Sequence, residues 1–187
     1  YHFDFEHFIS NPMQWEMVVS NVESGKAEYM TSKDIERSRA IGIASCSMPG
    51  FADIKEIDGK KYLDGGICDS IPVQRALDQG CDHLVIVLTR KKGSYSHFNE
   101  PTLAIFRRIY KEYPLFVEAL KNRGRLYRKE VELAEELEAQ GKALIIRPTF
   151  KEVSRLESDE EELLTAYYHG YTKAKEYIDA INAFHEG

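Results

Sequence analysis

Residues 62–76, YLDGGICDSIPVQRA, constrain this chain more than any other stretch: a short strand runs into an Asp-Gly-Gly turn and then directly into a helix with Pro72 near its start. The dipeptide Asp58-Gly59 just upstream favours the positive φ angles of a type I′ turn, so Ile54 to Leu63 reads as a hairpin whose second strand Asp64 closes. A carboxylate is thereby placed at a strand end, held by a sharp turn, which is where α/β enzymes set their chemistry. None of the 187 residues supplies the usual companions: there is no Gly-x-Ser-x-Gly elbow, Walker loop, His-Glu-x-x-His site or dinucleotide glycine pattern.

An apolar content of 43%, with 11% aromatic residues, is enough for a packed core, and the length suits one domain or a little more. The net charge of −6 and pI near 5.6 argue against bulk attraction to nucleic acid or to anionic lipid. Leu84 to Leu88, the longest aliphatic run, falls far short of the roughly 20 residues that span a bilayer, and no signal-peptide core opens the sequence. Cys46, Cys68 and Cys81 form no C-x-x-C pair and read as buried thiols in a reducing, cytoplasmic setting. The first residue is Tyr1, which leads us to expect a processed chain or a piece of a longer one.

The hydrophobic pattern predicts a hairpin over residues 15–30 and a helix from about Lys33 to Cys46, capped by Thr31 or Ser32 and ended by Pro49-Gly50. After the helix that Pro72 opens, Gly80 is a natural stop, and Leu84 to Leu88 shows no alternation, as expected of an interior strand covered on both faces of a partly parallel sheet. From Arg90 onward the texture turns helical: Pro101 to Tyr110, Pro114 to Gln140, a strand over Ala143 to Ile146, and a last helix after a capping box of Ser158 and Glu161. Its stripe, Leu163, Leu164, Tyr167, Tyr171, Ala174, Ile178 and Ile181, is expected to pack into a core along with Tyr168 and Tyr177.

The ordered succession of a strand before the Glu23-Ser24-Gly25 turn, Ala44-Ser45 with Pro49-Gly50-Phe51, Asp64-Gly65-Gly66, and Ile71-Pro72-Val73 resembles the second half of a patatin-like phospholipase domain, over roughly residues 3–92. Residues 97–187 are similar, through segments such as IIRP and VSRLE, to the accessory C-terminal region of some bacterial members. The resemblance implies an α/β fold: the C-terminal part of a three-layer patatin-like hydrolase sheet in residues 1–92, then a mainly helical region with one strand in residues 93–187. It also implies a serine hydrolase that cleaves lipid acyl esters through a Ser-Asp dyad without histidine. Asp64 then corresponds to the general base, with Gly65 and Gly66 as the supporting turn. A carboxylate of ordinary acidity is a poor base for serine, so such a dyad needs direct hydrogen-bond reach and partial desolvation. The alternative on the residues alone is an Asp64 that only accepts hydrogen bonds from the turn that follows it.

The family's nucleophile elbow and glycine-rich oxyanion loop lie upstream of the matched region. Ser45 and Ser47 do not replace them, because Gly42-Ile43-Ala44-Ser45-Cys46 lacks the second glycine and the strand-to-helix entry. The chain is therefore expected to be inactive alone, with the nucleophile serine missing from it and the aspartate supplied by it. The rival reading is a non-catalytic binding or regulatory module derived from the same fold. No metal or organic cofactor is implied. Expected partners are an acyl-ester lipid, peripheral membrane contact through Arg107, Arg108, Lys121, Arg123, Arg125, Arg128 and Lys129, and a second copy or the missing N-terminal half on an exposed sheet edge. A solvated helix face is the plainer account of that basic stretch. His2, Asp4, Glu6 and His7 lack a recurring ligand spacing and read as surface residues, while His83, His97, His169 and His185 are scattered singly.

Overall fold

The computed structural model describes residues 3–95, 97–149, 153–154 and 157–186. Two compact units divide it, each built from two stretches of chain: residues 1–72 with 96–128, and residues 73–95 with 129–187. His2 and the side chain of His185 lie outside what is described.

The first unit opens with α1 (Phe5–Ser10), then β1 (Met17–Asn21) and β2 (Lys26–Met30), antiparallel with Met17 opposite Met30. The turn between them is held by the Asn21 carboxamide, whose Oδ1 accepts from the N–H groups of Glu23 and Ser24, and by Gly25 at φ +64°. Helix α2 (Ile35–Ser45) follows, capped by Asp34 through the Arg37 N–H at 2.7 Å and not by Thr31 or Ser32. The carboxylate next to the helix is the stronger acceptor, and it leaves Ser32 to bond the backbone N–H of Asp34. The second hairpin, β3 (Lys55–Ile57) and β4 (Lys60–Asp64), turns on Asp58 and Gly59 with φ of 52° and 73°, the type I′ geometry. Strand order in the resulting four-stranded antiparallel sheet is β2-β1-β4-β3.

The same unit contains α4 (Glu100–Ile109), capped by Asn99, and the first four turns of α5 (Pro114–Ala139). Val22, Leu63 and Ile67 pack in one core with Leu103, Phe106, Tyr110, Phe116 and Leu120, so these helices complete the core of the four-stranded sheet. A second cluster, Val19, Ile41, Ala44, Ile57 and Tyr62, lies between α2 and the sheet.

In the other unit, α3 (Val73–Asp78) ends at Gly80 with φ +87°, and β5 (Leu84–Val87) pairs in parallel with β6 (Ala143–Ile146). Ile86 and Leu88 are buried, but Val85 is 44% and Val87 71% exposed. The strand is therefore not covered on both faces as its unbroken apolar run suggested. Burial alternates along it with the period of a one-sided strand. Asp159, not Ser158, caps α6 (Glu160–Glu176), and Glu157 takes the N–H groups of Ser158 and Asp159. The helix stops at Tyr177 and restarts as α7 (Ile178–Glu186). The expected core stripe is a surface instead: Leu163, Leu164, Tyr167, Tyr168, Tyr171 and Ile178 are all exposed. Tyr167 and Tyr171, one helical turn apart, lie nearly parallel with ring centroids 6.4 Å apart on this exposed face. No helix among the described residues is long and apolar enough to cross a membrane.

Candidate active site

Asp64 is the last residue of β4 and sits opposite Val19 of β1. Its N–H donates to the Ser47 carbonyl at 2.9 Å and its carbonyl accepts from Ser20 Oγ at 2.8 Å, so both sides of the backbone are pinned before the chain turns. A single 3-10 turn over Gly65–Ile67 comes next, capped by Asp64 itself, whose Oδ1 accepts from the Gly66 N–H at 2.8 Å. The side chain is half-buried, and its other oxygen has no hydrogen-bond partner among the described residues. One carboxylate oxygen is thus fixed by an amide while the other is open to accept a hydrogen bond, or a proton, from a hydroxyl group.

The two glycines serve different ends. A Cβ on Gly65 would lie 2.1 Å from the Val18 carbonyl oxygen, so the turn presses against β1 only because that atom is missing. On Gly66 it would stand 3.1 Å from Asp64 Oδ1, hemming in the carboxylate. The Gly66 carbonyl accepts from Ser70 Oγ at 2.7 Å and from Arg123 Nε at 2.8 Å. Nearby, Tyr29 donates to Asp69 Oδ2 at 2.5 Å, tying β2 to the residues after the turn.

Other residues singled out from the sequence fall elsewhere. Ser47 is buried and spends its hydroxyl on the Ile43 carbonyl at 2.7 Å, and Ser45 ends α2, so both are helix-end serines. Of the thiols, Cys46 and Cys81 are exposed, contrary to expectation, since both lie just past helix ends where the chain meets water. Cys68 is half-buried, donates to the Gly25 carbonyl at 3.4 Å, and has its pKa pushed up by burial. Asp4, Glu6 and His7 are exposed, with Asp4 capping α1.

Arg107, Arg108, Lys121, Arg125, Arg128 and Lys129 face solvent, but Arg123 does not: it is 7% exposed, and its guanidinium lies 5.5 Å over the Phe98 ring. Sequence reasoning grouped Arg123 with the solvated cations. Its spacing behind Phe116 and Leu120, at i+7 and i+3 along one helix face, is the signal that separates it. Ser20, fully buried under the turn, carried no signal of its own.

Residues 7–77 match the family of patatin-like phospholipases, and residues 113–186 match a family described as a domain of unknown function, DUF6363. A curated relative, the uncharacterized protein YjjU of Escherichia coli (strain K12), is 43% identical over 53 residues, a stretch that covers 28% of this chain and 15% of that relative. The mixed α/β architecture agrees with the first match and the helical remainder with an accessory region. The stretch that builds the Asp64 turn therefore lies inside the part of the chain that is similar to patatin-like phospholipases.

Proposed function

We propose that this chain supplies the general base of a patatin-type lipid acyl hydrolase, with Asp64 as that base and the nucleophilic serine contributed by polypeptide outside residues 1–187. The observation that carries the reading is the Asp64 carboxylate, tethered through Oδ1 to the Gly66 N–H and open at its other oxygen. In the reaction, that open oxygen accepts the proton of the serine hydroxyl as the serine oxygen bonds to the ester carbonyl carbon. The proton passes to the leaving alcohol as its C–O bond breaks, and an acyl-serine remains. Water then attacks the acyl carbon with Asp64 again taking its proton, which returns to the serine oxygen as the acid leaves. Gly66 keeps the carboxylate from rotating between these transfers. Substrates on this reading are acyl esters of lipids, and the free thiols of Cys46, Cys68 and Cys81 suit a reducing, cytoplasmic setting.

The test has two halves. The isolated 187-residue chain should give no fluorophosphonate labelling and no turnover of a 4-nitrophenyl ester above buffer. An intact patatin-like protein that carries this segment should turn over, and Asp64→Asn in it should lower kcat by about a thousandfold or more, the scale on which catalytic groups of serine hydrolases act. Full activity in Asp64→Asn, or turnover by the isolated chain that Ser45→Ala abolishes, would overturn the assignment.

A further inference from the structure

Helix α5 places Phe116, Leu120 and Arg123 on one face, and the first two are 0% and 1% exposed in the core with Val22, Leu63 and Ile67. The third place in that apolar row is taken by a guanidinium. A buried charge at a core position is weak evidence for stability, because an apolar residue of similar volume usually serves the fold as well or better. Two of the arginine's contacts are specific: Nε donates to the Gly66 carbonyl at 2.8 Å, and the guanidinium carbon lies 5.5 Å over the Phe98 ring. The same carbonyl takes Ser70 Oγ at 2.7 Å, while the Gly66 N–H holds Asp64 Oδ1 at 2.8 Å. Gly66, the most pliant residue of the turn, is thus gripped at its oxygen by two donors and passes that constraint through its nitrogen to the carboxylate.

We infer that Arg123 is a positioning residue for Asp64, and that the region matched only as a domain of unknown function acts in the hydrolase by clamping the Asp-Gly-Gly turn from within. The catalytic half of this inference rests on the reading of Asp64 as general base. The clamp itself does not. A carboxylate that takes a proton from a hydroxyl must hold its position to a fraction of an ångström, and misplacement by about 1 Å can cost about a hundredfold in rate.

Two measurements separate the clamp from the reading of Asp64. In the 187-residue chain, amide hydrogen exchange at Gly66 should quicken by about tenfold in Arg123→Met, while Leu63 and Ser20 in the β1–β4 ladder keep their protection. A purely structural role would speed all three together, and an unchanged Gly66 would overturn the clamp. In an intact patatin-like protein bearing this segment, Arg123→Met should lower kcat between about tenfold and a hundredfold with KM for a short 4-nitrophenyl ester within about twofold, and Arg123→Lys should recover most of the loss. Phe116→Leu, which loosens the same helix without touching Gly66, should lower the melting temperature and leave kcat within about twofold. Equal kcat loss in Phe116→Leu, or none in Arg123→Met, refutes the positioning role. If Asp64→Asn stays active the base assignment fails, and Gly66 exchange still decides the clamp. Should Arg123→Met not fold, Arg123→Leu takes its place with the same readout, and Ser70→Ala, which removes the other donor to the Gly66 carbonyl, is measured beside it: Gly66 exchange unchanged in the variants that fold overturns the proposal.

Discussion

Replacing Gly65 by alanine tests how the turn is built. The added Cβ would meet the Val18 oxygen at 2.1 Å, the Val18 carbonyl carbon at 2.5 Å and Val18 Cβ at 2.8 Å, about 1 Å inside ordinary contact. The obstacle is backbone of the neighbouring strand, so relief requires β1 and β4 to part where Val19 faces Asp64 and Ser20 faces Leu63. Forced overpacking costs about 1–3 kcal/mol, and losing the Ser20 Oγ bond to the Asp64 carbonyl adds about 1 kcal/mol. The expected loss is about 3 kcal/mol, a large share of a small protein's stability. Gly66→Ala is the control. Its Cβ stands 3.1 Å from Asp64 Oδ1 and 3.7 Å from Ser70 Oγ, both side-chain atoms and not backbone, so a shift of a few tenths of an ångström suffices and the cost should be about 1 kcal/mol or less. Urea unfolding of both variants at neutral pH, with slopes compared to confirm a common denatured state, gives the two values. If Gly65→Ala unfolds within about 0.5 kcal/mol of the parent chain, the claim that this glycine exists for close strand approach is refuted.

Glu28 is subject to burial, which works to raise its pKa, but hydrogen bonds from Tyr62, Asn21 and Lys60 outweigh it and hold the carboxyl below its ordinary 4.5. Because the folded pKa is the lower one, this group's stabilisation is complete above about pH 4.5 and fades as pH falls through the folded value; Glu28→Gln should flatten the acid side of a stability profile, and an unchanged acid slope would contradict it. The Gly50 N–H donates to the buried Tyr110 hydroxyl at 2.9 Å, so Tyr110→Phe should cost about 1 kcal/mol by thermal or urea unfolding, and a neutral effect would show that water replaces the bond. Strand β5 offers the exposed side chains of Val85 and Val87, so light scattering at micromolar concentration should show a species larger than one chain, and Val87→Lys should shift it toward the monomer; a parent chain that is already monomeric speaks against association there.

The local grammar of this fold was largely legible. Asp58-Gly59 announced its turn, Gly80 ended its helix with the φ expected of it, and Asp64 closed its strand. Capping was read a residue or more too early at α2 and α6, where Asp34 and Asp159 stand closer to the first turn than the serines and threonine favoured from motif spacing. Periodicity alone named the stripe of α6 but not its surroundings, for an amphipathic pattern says which face is apolar and not whether anything covers it. The same limit misjudged β5. The spacing of Arg123 behind Phe116 and Leu120 marked its face, but not its partner, a carbonyl 57 positions away. Gly65 was expected only as part of a supporting turn; that the strand it gives way to is β1, at Val18, comes from the pairing of β1 with β4.

The first family match ends at residue 77 and the second begins at residue 113, which draws a seam between them. The core does not respect that seam: Val22, Leu63 and Ile67 share their burial with Phe116 and Leu120, and Leu115 lies so close to Gly25 that no side chain fits between them. A recombination breakpoint placed there would separate halves that fill one another, so lineages that exchange tails should inherit this helix together with the hairpin it covers.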